Sequence, residues 1–245
     1  MKLLVSATGR VFYVKSADQD YHTQFGFVKK EDLKGAVPGQ AVKTSLGKEL
    51  FVLDAGFADQ YARIRRGPQI IPLKDLGPVI AVTGIGKDSV VIDAGTGSGA
   101  AACFLARVAG HVYSYEIRED FHRIAEANVK LLGLKNITLH LQDAKKGFRE
   151  KNADLVLLDM PDPWECVAAA KDALAVGGFL ASYSPTTPQV ADFVKAVLST
   201  PGLIHIKTVE VIEREWEVSE RKVRPRSAAI GHSGFLTFAR KIATG

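Results

Sequence analysis

The run Val90-Val91-Ile92-Asp93-Ala94-Gly95-Thr96-Gly97-Ser98-Gly99-Ala100 decides how this chain is read. An apolar β-type stretch ends in an acid, glycines follow at alternate positions, and Ala101 to Ala109 has helical composition. That is a strand, a tight turn and a helix start, which lets backbone approach a bound nucleoside closely. The spacing is G-x-G-x-G. Ala100 stands where the dinucleotide fingerprint G-x-G-x-x-G requires its third glycine. Asp93 argues in the same direction, because a carboxylate there repels a pyrophosphate and attracts a cationic nucleoside that carries an amino acid. S-adenosylmethionine is such a molecule, so Asp93, Gly95, Thr96, Gly97, Ser98 and Gly99 are candidate donor-site residues.

Outward from this turn, strands and helices alternate, the pattern of a parallel α/β sheet. A lead-in helix is expected over 74–85, then strand 89–94, helix 98–109, strand 111–116 and an amphipathic helix 119–132. Phe121, Ile124, Ala125, Val129 and Leu132 form the inner face of that helix, and Gly133 stops it. Strands 136–141 and 154–159 follow, the latter (DLVLLD) apolar enough to be buried on both faces. Helix 164–174, strand 178–183, helix 188–198 and strands 204–212 and 233–239 complete seven strands, the last two reading as an antiparallel hairpin. The count matches the open, mostly parallel Rossmann-like sheet of class I methyltransferases. Before Gly67 the texture differs. Short β-type pieces at 2–7, 11–14, 25–28, 41–44 and 50–53, punctuated by turn residues, indicate a small β-rich, barrel-like module. Residues 1–66 are therefore read as an accessory, substrate-positioning domain and 67–245 as the catalytic domain.

Ligands of such sheets bind beyond the carboxyl ends of the strands. Four consecutive strands place an acid there: Asp93, Glu116, Asp143 and Asp159. Glu116 suits a bidentate hold on ribose hydroxyls, and Asp143 the exocyclic amine of the donor's adenine. Asp159 opens Asp159-Met160-Pro161-Asp162-Pro163-Trp164, where alternate prolines stiffen an extended turn. Trp164 has two readings, a platform on which a base stacks or a plug beneath the loop. The acid–proline–aromatic pattern resembles the catalytic loop of amino-group and ring-nitrogen methyltransferases, in which a carboxylate or amide accepts a hydrogen bond from an exocyclic amine.

The bulk numbers bound the partners. Of 245 residues, 47% are hydrophobic and 24% charged, ordinary for a globular protein with a substantial core. No apolar run approaches the ~20 residues a membrane span needs, and Met1 to Val5 is too short for a secretory segment, so a cytoplasmic protein is expected. Two cysteines, Cys103 and Cys166, define neither disulfide framework nor metal cluster, and the six histidines have no ligand spacing. Net charge is +5. It concentrates at Arg63, Arg65 and Arg66, and at Arg214, Arg221, Lys222, Arg224 and Arg226, two clusters able to flank one polyanion or to stand as solvated loops.

Together, Arg65-Arg66-Gly67-Pro68-Gln69-Ile70-Ile71, the 93–100 turn, Tyr115-Glu116-Ile117-Arg118 and the 158–164 loop resemble the tRNA (adenine-N1)-methyltransferases of archaea and bacteria that act at position 58 of the T-loop. Arg224-Pro225-Arg226 and Gly231-His232-Ser233-Gly234-Phe235-Leu236 share the likeness, which spans the whole chain. The resemblance implies transfer of a methyl group from S-adenosylmethionine to N1 of adenine 58 (adenine 57 also in archaeal members), with S-adenosylhomocysteine as the other product. It implies Asp159 as the catalytic acid at the donor–acceptor junction and Gln69 beside the donor. It points to tRNA contacts at Trp164, Arg221, Arg224, Arg226 and His232, and to a homotetramer. The 225–231 segment departs from the family pattern, with alanines where bulkier residues are common. The rival readings are a methyltransferase for small molecules or proteins, an NAD-dependent oxidoreductase and a non-catalytic RNA-binding subunit.

Overall fold

A computed structural model describes residues 1–67, 69–228 and 231–243. Its contacts divide into two units, Met1–Arg63 and Ile64–Gly245.

The first unit contains β1 (Lys2–Ser6), β2 (Val11–Val14), β3 (Tyr21–Thr23), β4 (Gly26–Val28), α1 (Lys30–Gly35), β5 (Ala41–Lys43), β6 (Glu49–Asp54) and α2 (Phe57–Tyr61). Four strands form an antiparallel sheet in the order β2-β1-β6-β5, and β3 and β4 make a separate hairpin. The unit is β-rich, as the turn spacing suggested, and β2 and β5 are the edges of its four-stranded sheet. Leu4, Val14, Val28, Leu33, Leu50 and Val52 form the core. Helix α1 was not foreseen because it buries a single residue, Leu33, and so shows no helical stripe. The Lys2 ammonium donates to the carbonyls of Leu33 and Ala36, fastening the end of α1 to β1.

The second unit runs α3 (Leu73–Thr83), β7 (Val90–Ala94), α4 (Ala100–Leu105), β8 (His111–Glu116), α5 (Glu119–Leu132), β9 (Ile137–Leu141), β10 (Ala153–Leu158), α6 (Val167–Ala173), β11 (Leu174–Ser184), α7 (Thr187–Leu198), β12 (Leu203–Glu210), β13 (Trp216–Ser219), β14 (Lys222–Pro225) and β15 (Phe235–Lys241). Seven strands form one sheet in the order β12-β15-β11-β10-β7-β8-β9. β15 inserts antiparallel between β11 and β12. The apolar run Leu155 to Leu158 is fully buried because β10 is central and covered on both faces. Val156 and Leu158 join Ile92, Leu180, Val167 and Phe193 on one side. Leu155 and Leu157 join Val91, Leu76, Val79 and Leu105 on the other.

Three expectations change in detail. Helix α4 stops at Leu105, because Gly110 and His111 donate to the Ser89 carbonyl and pull the chain into the next strand. The segment after the 159–164 loop begins as a 3-10 turn, Pro163–Cys166, before α6. Finally, residues 216–225, expected as irregular basic chain, form the β13–β14 hairpin.

Candidate functional site

Strand order reverses between β7 and β10: the chain winds one way through β8 and β9 and the other through β10 and β11. Open α/β sheets bind ligands at such a switch point. A cavity of about 700 Å³ lies there, at the carboxyl ends of β7, β8, β9, β10 and β11. Its walls include Gln69, Gly95, Thr96, Gly97, Ser98, Glu116, Asp143 and Asp159, eight of the residues singled out from the sequence.

The glycine turn closes over the end of β8. The Gly95 and Thr96 amides both donate to the Tyr115 carbonyl, at 3.0 and 3.1 Å. Glu116 accepts from the Gly97 amide at 2.8 Å and from the Arg118 amide at 2.9 Å, so its carboxylate is held in place with lone pairs left for ligand hydroxyls. Gly95 has φ +93°, and a Cβ there would sit 1.8 Å from the Asp159 carbonyl oxygen. Only glycine lets the two loops meet. Gly99, at φ +79°, caps α4 and packs on Ala125. Asp143 accepts from the Lys145 amide at 2.9 Å, a capping bond that fixes its carboxylate at the cavity wall.

Asp93 and Gly99 do not line the cavity. Asp93 is buried beneath the turn, where one oxygen accepts from the Ser114 hydroxyl at 2.6 Å and the other has no partner among the described residues. The buried Ser98 hydroxyl also lacks one. Desolvation, and secondarily the Glu116 charge, push the Asp93 carboxyl up to about 6. Asp159 sits on the wall, half-buried, and its carboxylate accepts no hydrogen bond among the described residues. Burial, together with the charge of Asp93, raises it to about 7. A polar turn with unpartnered polar atoms among the described residues, set against carboxyls raised mainly by burial and further by neighbouring negative charge, fits a ligand that brings both hydrogen-bond donors and positive charge.

Some wall residues were not singled out as site residues from the sequence. Tyr183, Pro185 and Gln189 close the side beyond Asp159. The Arg118 guanidinium lies 3.8 Å from the Phe121 ring centroid at the other end. Asn128, buried on α5, donates to the carbonyls of Arg65 and Ser98 and accepts from the Arg65 amide. It thereby ties the Arg65-Arg66 segment to the glycine turn. Its sequence signal was hidden, since an asparagine in a helix reads as solvated.

Trp164, Arg221, Arg224, Arg226 and His232 stand outside the cavity wall. Trp164 is half-buried in the 3-10 turn. Arg224 and Lys222 pair with Glu217, and Arg226 with Glu215. Arg221 and Arg214 have no ion pair among the described residues. His232 is turned back toward the site, contacting Glu210 and the carbonyl of the wall residue Pro185. The departure from family pattern at 225–231 includes Ala229 and Ile230, which lie outside the described residues.

Residues 63–224 match the family described as "tRNA methyltransferase complex GCD14 subunit". The tRNA (adenine(57)-N(1)/adenine(58)-N(1))-methyltransferase TrmI of Methanocaldococcus jannaschii is 33% identical, with 98% of this chain and 94% of that protein covered. The tRNA (adenine(58)-N(1))-methyltransferase TrmI of Thermus thermophilus is also 33% identical, covering 98% and 96%. Among solved structures, a SAM-dependent O-methyltransferase of Thermotoga maritima superposes with a TM-score of 0.90 at 31% identity, covering 100% of this chain and 93% of the other. TrmI of Aquifex aeolicus shares the fold, with a TM-score of 0.83 at 24% identity over 99% and 97% of the two chains.

Proposed function

The chain belongs to the GCD14 family of tRNA methyltransferase complex subunits, and from that membership and the chemistry of its cavity we infer that it methylates N1 of adenine 58 in the T-loop of tRNA. Adenine 57, the second position in the name of the Methanocaldococcus relative, belongs to the same proposal. The observation that carries the reading is Asp159, whose carboxylate on the cavity wall accepts no hydrogen bond among the described residues while its backbone abuts the glycine turn. The bound donor supplies an electrophilic methyl group on a sulfonium. Glu116 holds its ribose, Asp143 its adenine, Gln69 flanks it, and the 95–99 turn holds the methionine end. The buried Asp93 charge and the free Ser98 hydroxyl suit that cationic, amino-acid-bearing end.

On the acceptor side, Asp159 accepts a hydrogen bond from the exocyclic amine of the target adenine and so aligns the N1 lone pair with the methyl group. The N1–carbon bond forms as the sulfur–carbon bond breaks, and sulfur takes the bonding pair. The Asp159 carboxylate faces the positive charge that develops on the ring. Unstacking the T-loop base costs a few kcal/mol, which phosphate contacts at the basic residues offset. The first unit positions the tRNA, and the enzyme works in the cytoplasm with its substrate. No helix among the described residues is long and apolar enough to cross a membrane.

Asp159→Ala is expected to keep S-adenosylmethionine affinity within about threefold while methyl transfer to unmodified tRNA falls by about a hundredfold or more. Calorimetry and nucleoside mapping after incubation with labelled donor check both halves. Loss of donor binding would move Asp159 into the donor site alone. Label in a nucleoside other than 1-methyladenosine would move the target atom, and label on an oxygen acceptor would favour the reaction class in the description of the Thermotoga structure.

We further propose a homotetramer. The cross-strand pairs Trp216–Pro225 and Val218–Val223 fall on one side of the β13–β14 hairpin, and Trp216, Val218 and Val223 are 54%, 70% and 61% exposed. A two-stranded hairpin is marginally stable by itself, and a second copy of this chain supplies the missing cover. Light scattering should give four times the 26.5 kDa chain mass, and Trp216→Ser a smaller species. A wild-type monomer would end the proposal.

A further inference from the structure

Three consecutive residues, His232, Ser233 and Gly234, each meet the cavity side of the second unit. The His232 ring approaches Glu210 Oε1 through Nδ1 at 2.6 Å and the Pro185 carbonyl through Nε2 at 2.8 Å. Ser233 donates to Asp75 at 2.8 Å. Gly234 lies so close to Tyr183 that a Cβ would sit 2.5 Å from the ring. Opposite them, on α3, the Lys74 ammonium contacts Asp75 at 2.8 Å and both the Val211 carbonyl and the Ser233 hydroxyl at 2.6 Å. Lys74 and Asp75 are nearly inaccessible, with side chains 9% and 1% exposed.

Val211 and Ser233 are the two feet of the segment that carries the β13–β14 hairpin. A buried ion pair costs desolvation that its own attraction only partly returns, so it is weak as a stabiliser and useful where it fixes one geometry. Here the fixed geometry joins the feet of the arginine-bearing hairpin to residues beside Asp159. We propose that Lys74, Asp75 and His232 are positioning residues for the methyl acceptor, forming a clasp that holds the basic hairpin in register with the cavity. The clasp rests on the tRNA reading above, since it presumes that the acceptor engages the hairpin.

The clasp is set by protonation. Both neighbours of the His232 ring are acceptors, and a neutral imidazole has one N–H, so both contacts are donated only by the imidazolium. The groups around it are Glu210 at the end of β12, Lys74 on α3, the Pro185 carbonyl and the Phe235 ring, 4.9 Å away. Glu210 and the Pro185 carbonyl hold the ring above the ordinary histidine value of 6.5, against smaller opposing effects of lost hydration and then of Lys74. The fastening is complete at low pH, and one of its two bonds is lost as pH rises through that raised value.

The experiment compares wild type and His232→Gln, a half-exposed position where folding is not at stake. In wild type, KM for unmodified tRNA should rise about fivefold or more between pH 6 and 8.5. The ratio of the His232→Gln KM to the wild-type KM should be about fivefold or more at pH 6 and approach one at pH 8.5, a comparison in which the titration of Asp159, common to both proteins, cancels. The dissociation constant for S-adenosylhomocysteine should stay within about twofold throughout. A ratio that does not change with pH, or a change confined to kcat or to donor binding, would overturn the clasp.

Lys74→Met and Asp75→Asn are made together, so that neither charge is left alone. Hydrogen exchange over 211–233 should then accelerate about tenfold or more, while β7 and β10 keep wild-type protection. Unchanged exchange over 211–233 would also overturn the clasp. Wild-type protein that does not methylate tRNA defeats the functional reading instead. The exchange measurements, which need no substrate, then decide the clasp by themselves.

Discussion

Asp93 and Asp159 are carboxyls raised to about 6 and about 7, largely by loss of water and further by neighbouring charge. Both are more readily protonated in the native state than unfolded. The stability they contribute is therefore full below the ordinary carboxylate range and is lost as pH rises through 6 to 7. Above that window the empty site carries mutually repelling negative charge, which a sulfonium relieves and a thioether does not. The ratio of S-adenosylmethionine to S-adenosylhomocysteine affinity should accordingly increase severalfold from pH 5.5 to pH 8, measured by calorimetry. A flat ratio would mean that neither carboxylate senses the sulfur. Asp159, Glu116 and Asp143 were legible in the sequence because each ends or closely follows an expected strand, and a sheet of this kind sends such residues to one edge. Asn128 and Tyr183 were not, because what they do depends on Arg65, Ser98 and Gly234, partners far away in the chain.

At the scale of elements, the basic tail changes most. As a string of residues it is a cluster of like charges; as the β13–β14 hairpin, most of those charges are already answered. Glu217 takes Lys222 and Arg224, and Glu215 takes Arg226. Exposed pairs of this kind contribute little to stability, yet they reduce the field a phosphate meets. Arg221→Ala should weaken tRNA binding more than Arg224→Ala and reduce the slope of log affinity against log salt by about one, readable by filter binding at several salt concentrations. Equal effects would show that the intramolecular pairs open freely on binding. The hairpin escaped sequence reading because its strands are only four residues each, Trp216–Ser219 and Lys222–Pro225, too short for their alternation to stand out within a charge cluster. By contrast α5, with its apolar stripe and glycine stop, was legible nearly to the residue.

Across the whole molecule, contacts divide the chain between Arg63 and Ile64, while the change of texture in the sequence lies at residues 66–67. The central strands were visible as apolar runs, whereas their spatial order was not, since each run is equally apolar wherever it sits. Order is nevertheless what makes the site. Because β10 pairs directly with β7, the Asp159 amide bonds to the Ala94 carbonyl at 2.8 Å, and Gly95 abuts Asp159. Adjacent strands stand about 4.8 Å apart wherever they pair. In the proposed reaction, the gap between the turn assigned to the methyl donor and the acid assigned to its target is thus graduated by the sheet itself, a ruler cut into the backbone.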